Sequence, residues 1–189
     1  FNVNGSLIEE YDITQAGVGA IRGAAFVKGK LFLAEATGKT IQSTLIPTLP
    51  VTITNDPRGI ASDGTSLYIA VDAQPVDKIM KVSTSGVLDT SFGVAGSADA
   101  PGVELRDLVY HDGALYAVTN DIRTFQDEHE SFTVRMPMVH KISTSTGDEI
   151  SKLIVLRENP GQGGPNKESV LMDSIGAIAS GGQFLYLGM

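Results

Sequence analysis

An all-β fold is what this sequence predicts, and three observations carry the prediction. One pattern, an apolar run, a polar tip with Gly and a second apolar run, occurs four times. The copies are GAAFVKGKLFLA from Gly23, GIASDGTSLYIA from Gly59, DLVYHDGALYAV from Asp107 and GAIASGGQFLYLG from Gly176. Second, the Leu that opens the second run lies 8 positions on in three copies (Leu31, Leu67, Leu115) and 9 in the last, Leu185. Third, helical periodicity is weak throughout, and the one stretch with any, 103–108, is too short for a stable helix.

Each copy reads as a β-hairpin. Lys28-Gly29-Lys30, Asp63-Gly64, His111-Asp112-Gly113 and Gly181-Gly182 supply the tight turns, since such residues adopt the positive φ that hairpin loops need. The apolar runs are nearly continuous rather than alternating, which predicts strands buried on both faces, as in stacked sheets. A second module follows two of the hairpins. Lys81–Gly86 leads into Val87-Leu88-Asp89, and Lys141–Ser145 leads through Thr146-Gly147 into Asp148-Glu149-Ile150. Each predicts a third strand, a turn and a fourth strand. A related piece, Phe1–Ile8, predicts that residues 1–14 finish a preceding unit.

Four antiparallel strands per unit is the build of a β-propeller blade. The units start 36, 48 and 69 residues apart; a solenoid would hold a tighter period, whereas blades accept insertions in surface loops. The reading is therefore one propeller domain over residues 1–189, or part of one. Blades start near 21, 57, 105 and 174. Either four blades close through a split blade made by the two chain ends, or the chain is a section of a larger ring. The extra length falls in loops 121–139 and 156–173, the second with Asn159–Pro165, loop-forming by composition. With Phe1 at its start, the chain reads as a piece of something longer.

Composition bounds function. Hydrophobic residues make up 42% and charged residues 19% of the 189, enough apolar content for a core. No apolar run approaches the roughly 20 residues of a membrane span. A net charge of −8 argues against nucleic acid as a partner, because that needs a basic footprint. There is no Cys, hence no thiol nucleophile, disulfide or Cys-held metal. No Ser-nucleophile, phosphate-loop or His-Glu-x-x-His motif is present.

Two stretches resemble known repeats. Asp56-Pro57-Arg58-Gly59-Ile60-Ala61 with Leu67-Tyr68-Ile69-Ala70-Val71-Asp72 is similar to NHL-type repeats, with the closing Asp one place late. Gly86–Gly96, reading GVLDTSFGVAG, resembles the Leu-Asp-Thr-Ser-Phe-Gly signature of delta-60 repeats. Both resemblances imply a propeller. The second implies a bacterial protein that is extracellular, at the cell surface or periplasmic. Neither implies a particular function, since this fold hosts many.

Two residue sets could carry chemistry. Arg22, Arg58 and Arg106 each precede the first strand of a unit, a position near the mouth of the central channel. Forked guanidinium donors there would suit an anion, a sugar acid or a carboxylate. The structural account of the same residues is ion pairing across blades, with Asp56, Glu104 and Asp173 as partners. Glu35, Asp72, Asn120 and Asp121 follow the second strands, and such oxygen donors suit Ca²⁺. Lactonases of the regucalcin type hold one divalent ion with a Glu, an Asn and an Asp in a propeller channel. That family often has Pro-Asp-Gly at the unit start; here the residue is Arg58, so the resemblance fails where the metal needs it. The structural account of these donors is turns bonded to their own backbone. The tip Gln126–Glu130, with His129 among acids, reads as a solvated loop or contact surface.

The function these residues predict is binding or scaffolding without catalysis. A rigid propeller in a larger extracytoplasmic protein would present loops to a protein or glycan partner. No cofactor is expected; calcium enters only under the alternative, a metal-dependent lactonase or lyase with its site in the channel.

Overall fold

The repeated hairpins fold as antiparallel ladders whose inner strands stand side by side. The computed structural model describes residues 19–43, 49–126, 131–158, 169–171 and 174–188. Its described residues hold strands and turns and no helix. The first sheet has the order β1 (Ile21–Val27), β2 (Lys30–Glu35), β3 (Thr40–Ser43). The second runs β4 (Pro57–Ser62), β5 (Ser66–Val71), β6 (Lys78–Ser83), β7 (Ser97–Asp99). The third runs β8 (Asp107–His111), β9 (Ala114–Gln126), β10 (Ser131–Ser143), β11 (Glu149–Ile154). A short ribbon, β12 (Leu156–Glu158) with β13 (Ser169–Leu171), precedes the hairpin β14 (Ala177–Gly181) and β15 (Phe184–Gly188). The first strands neighbour one another in sequence order: β1 packs on β4, β4 on β8 and β8 on β14. This is a β-propeller-like arrangement, with sheets fanning outward from a row of inner strands.

Local chemistry sets the turns. Lys28-Gly29 and Asp112-Gly113 have positive φ at both loop positions, the two-residue geometry that matches strand twist. The β4–β5 turn is longer and is fixed by Asp63. Its Oδ1 accepts hydrogen bonds from Thr65 N and Ser66 N at 2.8 and 2.7 Å.

Side-chain alternation explains the continuous apolar runs. Leu67, Ile69 and Val71 of β5 join a core with Phe32, Ala34 and Ile41 of the first sheet. Tyr68 and Ala70, on the opposite face, join Leu108, Leu115 and Ala117 of the third. On β9, Val118 faces Ile175 and Ile178 in a further core. A strand with neighbours on both faces buries both parities of its period-2 pattern.

Three expectations need correction. The fourth strand of the second sheet is Ser97–Asp99, not Val87–Asp89, which contributes only a bridge from Leu88 to Val82. Asp89 diverts the chain: its Oδ1 accepts Ser91 N at 3.1 Å and Ser91 Oγ at 2.6 Å. The turn that results sends Phe92 into the core between the second and third sheets, where it is fully buried. The insertion 121–139 is not a loop, because β9 and β10 continue in register from Ala114–Ser143 out to Gln126–Ser131. The loop 156–173 likewise begins and ends as paired strands. Residues 1–14, the tip 127–130 and Asp173 lie outside the described residues, as do 159–168.

Candidate functional site

Backbone bulges place the arginines. On β1 the register shifts between Ile21, opposite Glu35, and Gly23, opposite Ala34. On β4 it shifts between Pro57, opposite Val71, and Gly59, opposite Ala70. Arg22 and Arg58 are the extra residues at these shifts. Arg106 holds the matching place before β8, with its N–H donating to Val118 O at 2.9 Å while Asp107 already pairs with Val118. A bulge re-aims a side chain out of the pleat; the register shifts at Arg22 and Arg58, and Arg106 takes the equivalent place through its backbone hydrogen bond.

The three arginines line one cavity of about 390 Å³ with Arg135, Asn120, Ser174, Ile175 and Gly176. Arg22 also borders a second cavity of about 480 Å³ walled by the inner strands, among them Ala24, Ala61, Asp107 and Ile178. The two cavities share Arg22, and the arginine-lined one forms a mouth beside the other. Arg135 is an addition that sequence reasoning missed. It projects from the extended hairpin, on β10 opposite Ile122.

Partners account for part of this charge. Arg58 pairs with Asp72. Arg106 and Arg135 share a single oxygen, Glu104 Oε2, at 2.9 and 3.0 Å. Arg22 is exposed and has no ion-pair partner among the described residues. Among the described residues, four guanidinium groups thus meet two carboxylates, in a chain whose net charge is −8. Of the expected partners, Glu104 pairs with Arg106 two residues on rather than across blades, Asp56 pairs with Lys39 instead at 3.8 Å, and Asp173 lies outside the described residues.

The β14–β15 hairpin breaks the pattern. Gly176 N donates to Gly188 O at 2.9 Å, and Ala177 pairs with Gly188. Gly176 therefore stands where the other sheets have Arg, and Ala177 is the counterpart of Gly23, Gly59 and Asp107. This corrects the sequence alignment by one residue. Counted from Ala177, the step to Leu185 is 8, as in the other copies.

The oxygen donors Glu35, Asp72, Asn120 and Asp121 are not gathered at one point. Buried Glu35 caps its own turn, accepting Thr37 N at 2.7 Å and Gly38 N at 2.6 Å. Asp72 pairs with Arg58. Asn120 is fully buried and spends its amide on Ile175, accepting from N at 3.1 Å and donating to O at 3.4 Å. Asp121 Oδ1 accepts Val103 N at 3.1 Å and Thr119 Oγ1 at 3.3 Å. No group of three or more His, Asp or Glu among the described residues could hold a metal ion.

Burial pushes the Glu35 carboxyl up, but hydrogen bonds from Gly38 and Thr37 outweigh it and hold Glu35 below its ordinary value. The same balance of burial against bonds from Ser66 and Thr65 holds Asp63 low. Groups with folded pKa values below their unfolded ones stabilise fully above about pH 4–5 and lose that contribution as pH falls through the folded values. Asp107 has the opposite sign. Burial raises it, more than its bonds from Ile178 N and Leu108 N lower it, so its contribution is lost as pH rises through its folded pKa. Glu35→Gln is therefore expected to flatten the acid limb of melting temperature against pH below about 4.5. Curves that run parallel would show that Glu35 does not supply it.

No family model and no curated protein matches the chain. Among solved structures it is similar to the glutaminyl cyclase of Myxococcus xanthus, with a TM-score of 0.56 and 14% sequence identity over 89% of this chain. The likeness is one of fold. It covers 61% of that enzyme's chain, so this chain spans about three fifths of its length. No helix of the described residues is long and apolar enough to cross a membrane.

Proposed function

We propose that the chain is a non-enzymatic binding propeller which takes an acidic saccharide at the arginine-lined mouth. One observation carries this reading: four arginines line a cavity whose described lining residues include no carboxylate. Its volume, about 390 Å³, is in the range of small-ligand sites and suits a sugar acid or the end residue of an acidic glycan. Forked guanidinium donors recognise carboxylates through paired N–H bonds. The scaffold is a section of a larger ring in an extracytoplasmic protein. Exposed Phe184 and Tyr186 on the last hairpin support further blades.

The test is titration calorimetry with a galacturonate trisaccharide and a neutral trisaccharide as control. The wild type should bind the acidic sugar alone, more weakly as salt rises. Arg22→Ala should weaken binding about tenfold. Gly176→Arg should strengthen it, because a Cβ there meets nothing within 4 Å and the new guanidinium completes the set. Equal binding of both sugars, or none by either, would overturn the reading. Retention of an acidic protein but no sugar would move the partner to a protein surface.

A further inference from the structure

We infer that Glu104 is an intramolecular competitor for the mouth, and that the group it competes with is a ligand carboxylate; this rests on the binding reading above. Glu104 Oε2 sits between the Arg106 and Arg135 guanidiniums at 2.9 and 3.0 Å. A carboxylate oxygen of the chain thus already accepts from two of the guanidiniums that line the mouth, donors that an acidic ligand would need. Arg106 and Arg135 line the mouth, whereas Glu104 lines the adjoining cavity of about 310 Å³ with Arg58, Asp72 and Asp77. Both cavities share Arg58 and Arg106, and Glu104 pairs with the second of these, so a ligand entering the mouth meets an arginine already engaged from the other side.

The backbone around Glu104 is made for this presentation. Glu104 has φ 51°, a left-handed conformation that disfavours side chains other than Asn and Asp. Its neighbours are pinned: Val103 N donates to Asp121 Oδ1 at 3.1 Å and Leu105 N donates to Asp77 Oδ2 at 2.8 Å. Val103 O also accepts Asn120 N at 3.2 Å. With both flanks fixed, the carboxylate leaves the arginines by side-chain rotation alone, and the loop need not move. Ligand binding then exchanges one carboxylate for another on the same donors. Affinity is set by that difference, not by the full strength of the new contacts.

The experiment is the galacturonate titration repeated on Glu104→Gln and Glu104→Gly. Gln keeps the shape and loses the charge; Gly also relieves the left-handed backbone, which guards against a folding defect. Each should bind about three- to tenfold more tightly than the wild type, the range expected for removing one or two exposed charge pairs. Unchanged or weaker binding in both, with wild-type binding intact and sensitive to Arg22→Ala, would overturn the competitor and make Glu104 a residue that positions the arginines. If neither wild type nor variants bind, the binding reading falls, and this inference with it.

Discussion

Phe92→Ala is expected to lower the unfolding free energy by about 3–5 kcal/mol, the usual cost of truncating a fully buried aromatic ring. Phe92 has no exposed surface and fills the seam between the second and third sheets. Its ring meets that of Tyr68 edge-on, with centroids 6.0 Å apart, an arrangement worth about 0.5–1.5 kcal/mol beyond area burial. The site cannot readily collapse around a smaller residue. Tyr68 is held by its hydroxyl, which donates to Asp63 Oδ2 at 2.9 Å and Thr144 O at 3.3 Å. The Thr146-Gly147 turn abuts the ring, as a Cβ built on Gly147 would lie 3.0 Å from Phe92 Cζ. Lys81 spans the Tyr68 and Phe92 rings at 5.7 and 5.9 Å and pairs with Asp89 at 3.0 Å. Ser91, with Lys81, holds the Asp89 carboxyl down at about 2. Urea denaturation of Phe92→Ala and Phe92→Leu would measure the effect, with Leu expected to lose less because it keeps more of the volume. A loss under about 1 kcal/mol for Ala would show that the seam relaxes and that the loop 86–96 is not a core element.

That loop marks the boundary between what the residues declare and what they do not. The hairpins around Lys28-Gly29 and Asp112-Gly113 are legible because a two-residue turn with positive φ admits few residue types. The double burial of β5 and β9 is legible because both parities of each strand are apolar. The fourth strand of the second sheet is not, since Ser97–Asp99 has no pattern of its own. It is set by where Asp89 and Phe92 send the chain. The β9–β10 extension reads as loop because charged and hydroxyl residues interrupt its apolar pattern. The common position of Arg22, Arg58 and Arg106 was visible, whereas the bulges that give it meaning were not, because a bulge is a property of the pairing. For the same reason Gly176 was aligned with Gly23 rather than Arg22. Arg135 joins them from a segment whose register only the partner strand fixes.

Asn120→Ala separates the structural account of the oxygen donors from the metal account. The Asn120 amide bonds Ile175 as a strand would, at 3.1 Å to its N and 3.4 Å to its O, and both residues are fully buried. Ala leaves both backbone groups of Ile175 without these partners, at about 1–3 kcal/mol for each orphaned group. The expected loss is therefore about 2–6 kcal/mol, and it is local. Amide exchange should accelerate first in Ala177–Gly188, the hairpin that Ile175 leads into. Sugar binding should weaken with it, because Ser174, Ile175 and Gly176 form one wall of the mouth. A calcium ligand would behave otherwise. Under the lactonase reading the wild type gains stability from added calcium by mass action, and Asn120→Ala loses that gain while its metal-free stability stays near the wild-type value. Denaturation of both proteins with and without calcium thus yields two opposite patterns. A large, calcium-independent loss makes Asn120 the clasp between the third sheet and the last hairpin. A loss confined to the calcium-bound protein would return Asn120 to a metal site.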